Sequence, residues 1–160
     1  SETINYHKAV KGNITINPAP HTSYNAGGNQ ALINGIHGSD KRYGDKEWLG
    51  FWGDDIEIKI ALNEETTINS ITTRFYNTNG QWIYAPKNID ISYSLDGKKY
   101  HLLKEVELYS TDRIVKIKAV FDAVNAKYLK ILARNYGVIP EGKQGAGNKA
   151  WTFIDEIIVE

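Results

Sequence analysis

Alternation governs this chain. Ile56-Glu57-Ile58-Lys59-Ile60-Ala61-Leu62 places apolar residues at every second position, the period of a strand with one face on a core and one on solvent. A helix needs a period near 3.6, and no window of a dozen residues carries an apolar stripe of that kind. Ile71-Thr72-Thr73-Arg74-Phe75 and Ile89-Asp90-Ile91-Ser92-Tyr93-Ser94 repeat the alternation. Asp96-Gly97 predicts a hairpin turn into a strand over Tyr100 to Leu108. Further strands are expected over Val115 to Phe121, Tyr128 to Arg134 and Phe153 to Val159. Turns are expected at Asn79-Gly80, Asp122 to Asn125 and the glycine-rich run Gly142 to Gly147. Short strands separated by turns specify an all-β antiparallel sandwich or barrel.

With 160 residues, the chain reads as one domain, 1–160, with neither internal repeat nor linker. That length buries about two-thirds of the unfolded surface. Nineteen basic and nineteen acidic residues give a net charge of +0, so there is no electrostatic footprint for nucleic acid or anionic lipid. Cysteine is absent, which excludes a disulfide scaffold, thiol catalysis and a zinc–thiolate site. No apolar run approaches the roughly 20 residues that span a bilayer. Methionine is absent even at position 1, so the chain reads as a piece of a longer protein, and a monomer is expected.

Two segments depart from a plain sandwich. Residues 17–54 are rich in Pro, Gly, Asn and aromatics, with one turn of helix expected near Gln30 to Ile33; residues 135–150 form a long loop with Pro140 and several glycines. Ordered loops of this length in compact domains carry function. With the connection from Tyr76 to Pro86, they are where a ligand site is sought. In the first segment Asn34-Gly35-Ile36-His37-Gly38-Ser39 offers side-chain oxygens five residues apart, and Glu156 offers a carboxylate from the far end of the chain. Hard cations such as calcium take six to eight oxygens. Asn-Gly is equally a common turn dipeptide, and Glu156 is equally a strand residue, so spacing alone leaves both readings open.

The ordered set Ala31-Leu32-Ile33-Asn34-Gly35 with Ser39, Trp48-Leu49-Gly50-Phe51, Ser92-Tyr93-Ser94-Leu95-Asp96-Gly97, Tyr128-Leu129-Lys130-Ile131 and Ala150-Trp151-Thr152-Phe153-Ile154-Asp155-Glu156-Ile157 resembles a discoidin domain. This is the factor V/VIII type C, galactose-binding-like jelly roll, and the resemblance covers residues 24–160. The runs Gly44 to Phe51, Trp82 to Lys87 and Asn135-Tyr136-Gly137 resemble the domain C-terminal to bacterial β-N-acetylhexosaminidases, including chitobiases. The resemblance implies a buried structural calcium. Leu32 and Ile36 would contribute carbonyls, Asn34 a side-chain oxygen, Ser39 its carbonyl and hydroxyl, and Glu156 its carboxylate, with a carbonyl of Ala150 or Trp151 completing the shell. Many relatives carry Asp at the position of Asn34 and Thr at that of Ser39, so this chain has one formal charge fewer for the ion.

The resemblance also implies a non-catalytic module that carries an attached glycoside hydrolase to galactose- or N-acetylhexosamine-type glycans, in an exported bacterial protein. Sugars need an aromatic platform flanked by fixed polar groups. Trp48 falls at the family's core tryptophan, and Trp151 is expected in the core. Trp82, Tyr84, Tyr136 and Trp52 are the platform candidates, with Arg42, Tyr43, Asn77, Asn135 and Lys149 as polar partners. His21 and His37 lack a partner carboxylate in sequence and are read as loop residues. Asp54-Asp55 is not a glycosidase pair, because adjacent strand residues face opposite ways. The competing readings are an architectural domain packed on a catalytic neighbour without a ligand, and a discoidin domain that binds protein or membrane. For the latter, the Gly-, Asn- and Tyr-rich loops and zero net charge make membrane insertion the weaker expectation.

Overall fold

The computed structural model describes residues 4–160. The alternating segments form β1 (Asn13–Asn17), β2 (Leu49–Trp52), β3 (Ile56–Tyr76), β4 (Asn88–Ser94), β5 (His101–Glu107), β6 (Ile114–Arg134), β7 (Trp151–Ile154) and β8 (Ile158–Val159). Short 3₁₀ turns lie at Thr22–Tyr24, Asn29–Leu32 and Asn79–Gln81.

In one layer Ile56, Ile58 and Ile60 of β3 stand opposite Ala133, Ile131 and Leu129 of β6, while Ile89 and Ile91 of β4 flank the same residues from the other side. Opposed residues of an antiparallel pair share a face, so one row of apolar side chains points inward. β1 extends this layer beyond β3, and β5 extends it beyond β4. In the other layer Ile71, Thr73 and Phe75 oppose Ala119, Ile117 and Val115, and β8, β7 and β2 complete it. The two inner faces share one core. β3 and β6, each 21 residues long, belong to both layers. Register shifts between Ala61 and Thr66 and between Ile68 and Ser70 bend them across, as bulges do. The result is the expected antiparallel jelly-roll sandwich.

The differences from expectation have physical causes. Asp122 to Asn125 has turn composition, yet it lies within β6, where Val124 and Asn125 oppose Ile68 and Thr67. Four expected strands therefore fuse into β3 and β6, because the ladder offers each backbone group a partner through most of the corner. The strand expected over Phe153 to Val159 is instead broken at 155–157, where Asp155 and Glu156 are wholly buried among side-chain and loop partners. β1 and β2 are short and have no counterpart among the expected strands. The helical turn near Gln30 is present at Asn29–Leu32.

Residues 17–48 carry a second apolar cluster onto the outer face of the second layer. Trp48 packs with Tyr76, Ile83 and Phe153, and Tyr24, Tyr43 and the partly buried Trp151 close around them. Gly50 is required here, because a Cβ would lie 2.6 Å from the Phe153 ring.

Ile131 is 0 % exposed between two partner strands. Ile131→Ala is expected to cost about 2–5 kcal/mol in urea unfolding, whereas Val120→Ala, on the exposed face of β6, should stay within about 0.5 kcal/mol of wild type. In the β4–β5 turn, the amides of Lys99 and Lys98 and the hydroxyl of Ser94 donate to Asp96 and lower its pKa from 3.8 to about 2. A depressed carboxylate stabilises the fold above its unfolded pKa, and that contribution is lost as pH falls through the folded value. The Lys98 and Lys99 amide resonances should accordingly titrate with a midpoint near about pH 2 in wild type and lose that transition in Asp96→Ala.

Candidate functional site

Strand register gathers four connections at one end of the sandwich. Trp52 pairs with Trp151, Ile56 with Ala133, Tyr76 with Ile114, and Asn88 with both Glu107 and Arg134. The connections 53–55, 77–87, 108–113 and 135–150 therefore meet. Backbone bonds tie them together. The amide of Tyr84 donates to the Trp151 carbonyl at 3.1 Å, that of Lys87 to Arg134 at 2.8 Å, and that of Leu108 to Lys87 at 3.1 Å.

Between the last three of these connections lies a recess of about 550 Å³. Tyr84 and Tyr136 supply a stacked pair of rings, with centroids 4.5 Å apart and planes at 24°. Burial, with Tyr136 adding to it, raises the Tyr84 pKa, and its hydroxyl donates to the Gln144 carbonyl at 2.8 Å. Tyr109 is 87 % exposed, and its hydroxyl donates to Glu107 at 2.6 Å; that bond raises the phenol's pKa. Lys87 and Lys143 belong to the lining, and Glu107 is the one carboxylate among its described residues. Ring faces beside fixed donors and acceptors suit a ligand with a C–H face and a hydroxyl edge.

The expected site residues separate into three groups. Tyr136, Tyr84 and Asn77 line the recess, but Tyr84 is 4 % exposed and forms its floor rather than a free platform. Asn77 is saturated: its amide donates to the carbonyls of Ser110 and Asp112, and its oxygen accepts from Ala85 and Asn79. Asn135 is buried and pins the glycine-rich loop, donating to Ala150 and Thr152 and accepting from Gly137. Both asparagines build the site: Asn77 has no group left for a ligand, and Asn135 is buried.

Trp82 and Trp52 sit at the same end, outside the recess lining. The Trp82 ring rests on Gly145, where a Cβ would come within 2.4 Å. The Trp52 indole donates to the Lys149 carbonyl at 3.2 Å, with the Lys149 ammonium 5.5 Å from its ring. Both remain part exposed.

Tyr43 packs on Tyr76 and Phe153, and exposed Arg42 sits beside it, so neither lines the recess. The reason is that residues 17–48 fold over the second layer instead of reaching into the recess. Among the remaining loop residues, His21 packs on Trp151, His37 lies 3.5 Å from Asp155, and Asp55 accepts from the Asn135 amide. Asn79, Lys87, Glu107, Tyr109 and Lys143 join the lining without having been singled out in the sequence. The polar run Tyr109-Ser110-Thr111-Asp112 after an alternating strand is the signal that could have found the 108–113 connection.

Of the residues implied for calcium, all but Ile36 have an oxygen that accepts from an internal donor. Glu156 Oε2 accepts from His7 Nε2 and from the Gly35 amide. His7 Nδ1 accepts from the Ala9 amide, which puts the ring proton on Nε2. Asn34 turns its oxygen to the Ile36 amide at 2.9 Å and its nitrogen to Glu47 at 2.6 Å. The Ser39 hydroxyl accepts from Lys41 and its carbonyl from the Trp48 indole; the Leu32 carbonyl accepts from Ile157. The Ala150 carbonyl serves Gly53 and Asn135, and the Trp151 carbonyl serves Tyr84. An N–H aimed at a carboxylate competes with a cation for the same lone pair. Glu156 Oε1 is buried without a hydrogen-bond partner among the described residues, but one free carboxylate oxygen, even with the Ile36 carbonyl, falls far short of the six to eight oxygens that calcium takes. As they are arranged here, Leu32, Asn34, Ser39 and Glu156 do not fit the calcium that the resemblance implies at Leu32, Asn34, Ile36, Ser39 and Glu156. Burial raises the Glu156 pKa, and the bonds from His7 and Gly35 pull it back.

No curated protein sequence matches this chain. Among solved structures, a pectin-binding carbohydrate-binding module is similar at 20% identity and a TM-score of 0.58, covering 100% of this chain and 92% of that one. The module CpGH89CBM32-5 of Clostridium perfringens, in complex with GalNAc-β-1,3-galactose, is 15% identical, with a TM-score of 0.62 and 99% of each chain covered. A Ruminococcus gnavus GH29 fucosidase is 16% identical, with a TM-score of 0.63 over 96% of this chain and 26% of that longer one. These likenesses describe the fold. The family profile of the F5/8 type C domain matches residues 17–157, nearly the whole chain, and with the jelly-roll architecture this establishes that the chain belongs to the F5/8 type C, or discoidin, family.

Proposed function

We propose that this domain is a non-catalytic carbohydrate-binding module that carries an attached glycoside hydrolase to galactose- or N-acetylhexosamine-type glycans. The observation that carries the reading is the recess at the loop end, where stacked Tyr84 and Tyr136 meet exposed Tyr109 and the ammonium groups of Lys87 and Lys143. Solved structures with this fold are described as binding pectin, GalNAc-β-1,3-galactose and Lewis B antigen, which supports a sugar as the ligand class. The parent enzyme, by the resemblance of the Trp82 to Lys87 and Asn135 to Gly137 runs, is a β-N-acetylhexosaminidase of the chitobiase kind, in an exported bacterial protein.

One sugar ring offers few atoms, and an efficiency of about 0.3 kcal/mol per atom corresponds to a Kd on the order of 0.1–1 mM. Tethering makes such weak binding effective, because a linked module meets a polymeric glycan at high local concentration.

Titrating this chain with such sugars should move NMR signals of 77–87, 108–113 and 135–149. Tyr136→Ala and Tyr109→Ala should each weaken binding by about tenfold, the loss of one aromatic contact of about 1.4 kcal/mol. Trp82→Ala tests whether the ligand extends beyond the recess. The chain alone should not hydrolyse aryl N-acetylhexosaminides above a no-protein blank. If no sugar at tens of millimolar shifts a loop resonance, the domain is an architectural partner of its catalytic neighbour.

A further inference from the structure

We propose that His7 takes the place of a structural cation in this chain: its imidazole closes on Glu156, and the fold is complete without a divalent metal. The observation is geometric. Both side chains are 0 % exposed and bonded to each other, and the Ala9 amide on Nδ1 holds the ring with its Nε2–H toward the carboxylate. A buried carboxylate is costly unless strong donors or a cation satisfy it. Here one oxygen receives two N–H groups, from His7 and Gly35.

The histidine comes from a segment outside the residues that match the family profile, which begin at 17. That segment is fastened along its length. The amide of Asn5 donates to the Gly35 carbonyl at 2.8 Å, the amide of Lys8 donates to Val159 at 2.9 Å, and Ala9 is part of the main core. Gly35 has φ +84° and would bring a Cβ within 2.6 Å of the Asn5 carbonyl, so the segment lies directly on the turn that would otherwise frame an ion. The Asn34 side chain, a second oxygen such an ion would need, is held by Ile36 and Glu47. Donor supply, steric cover and ligand orientation all work against a metal.

The test compares melting curves of metal-stripped chain with calcium and with chelator in excess. Wild type should melt at the same temperature in both and show no heat on calorimetric titration with calcium. His7→Leu should lower the melting temperature by roughly 5 °C or more, since it leaves a buried carboxylate with one donor fewer. His7→Gln, whose amide nitrogen can reach the place of Nε2, should recover at least half of that loss. Nitrogen-detected NMR of wild type should show the ring protonated on Nε2 with Nδ1 accepting, a reading that survives if His7→Leu fails to fold. A calcium-dependent rise in wild-type melting temperature, an Nδ1-protonated ring, or a His7→Leu variant as stable as wild type would each overturn the proposal.

Discussion

Asp155 and Glu156 are consecutive, wholly buried and committed to different partners, and the back of the domain is organised around them. Asp155 Oδ2 accepts from the Arg74 guanidinium at 2.6 and 3.0 Å and from the Gly38 amide at 3.0 Å. Arg74 also reaches Asp40 and the Gly38 carbonyl, and its guanidinium lies 5.4 Å from the Trp48 ring. Burial alone would lower the arginine's pKa, but Asp155 and Asp40 outweigh it and the value is raised. Glu156 in turn holds Gly35 and His7. Two buried charges that would each cost several kcal/mol if unpartnered thus staple the 34–40 loop from both sides. Only a loop so fixed can seat Trp48, whose indole donates to the Ser39 carbonyl at 2.9 Å and whose ring anchors the aromatic cluster over the second layer.

Much of the sandwich was legible because alternation is a direct image of a half-buried strand. Ile56 to Leu62 and Ile89 to Ser94 occupy the expected faces. What was not legible required partners distant in sequence. Asp122 to Asn125 has the composition of a turn and is overruled by a ladder to residues more than fifty positions away. Asp155 and Glu156 looked like strand residues, and only Arg74 and His7, from other parts of the chain, explain why they leave the strand. His7 itself is a lone histidine near a chain end, with nothing local to mark it as buried. At the loop end, the importance of 77–87 and 135–150 could be read from glycine, asparagine and aromatic content. The 108–113 connection lay between two expected strands, but with neither glycine nor asparagine nothing in its composition marked it as part of a site.

The loop end divides its polar residues between construction and presentation. Asn77 and Asn135 spend their side chains on carbonyls and amides of neighbouring connections, which sets the shape of the recess before any ligand arrives. Preorganised walls lose less freedom on binding. The residues left to meet a ligand are those without such duties, chiefly Tyr109, Tyr136, Lys87 and Lys143. Chemical type alone does not separate the two groups; hydrogen-bond saturation does.

The bend in β3 and β6 places their corner at the opposite end from the four connections. The amides of Asn69 and Ser70 donate to the Glu160 carbonyl, the Lys8 amide meets Val159, and the Lys8 ammonium reaches Thr67. The first and last described stretches therefore share the corner end. A polypeptide continuing from Glu160 would depart from the pole opposite the recess, much as a stem leaves a cup beneath its rim. A neighbouring domain hung there would leave the rim open, and a surface met by the rim would hold that neighbour about one domain length away.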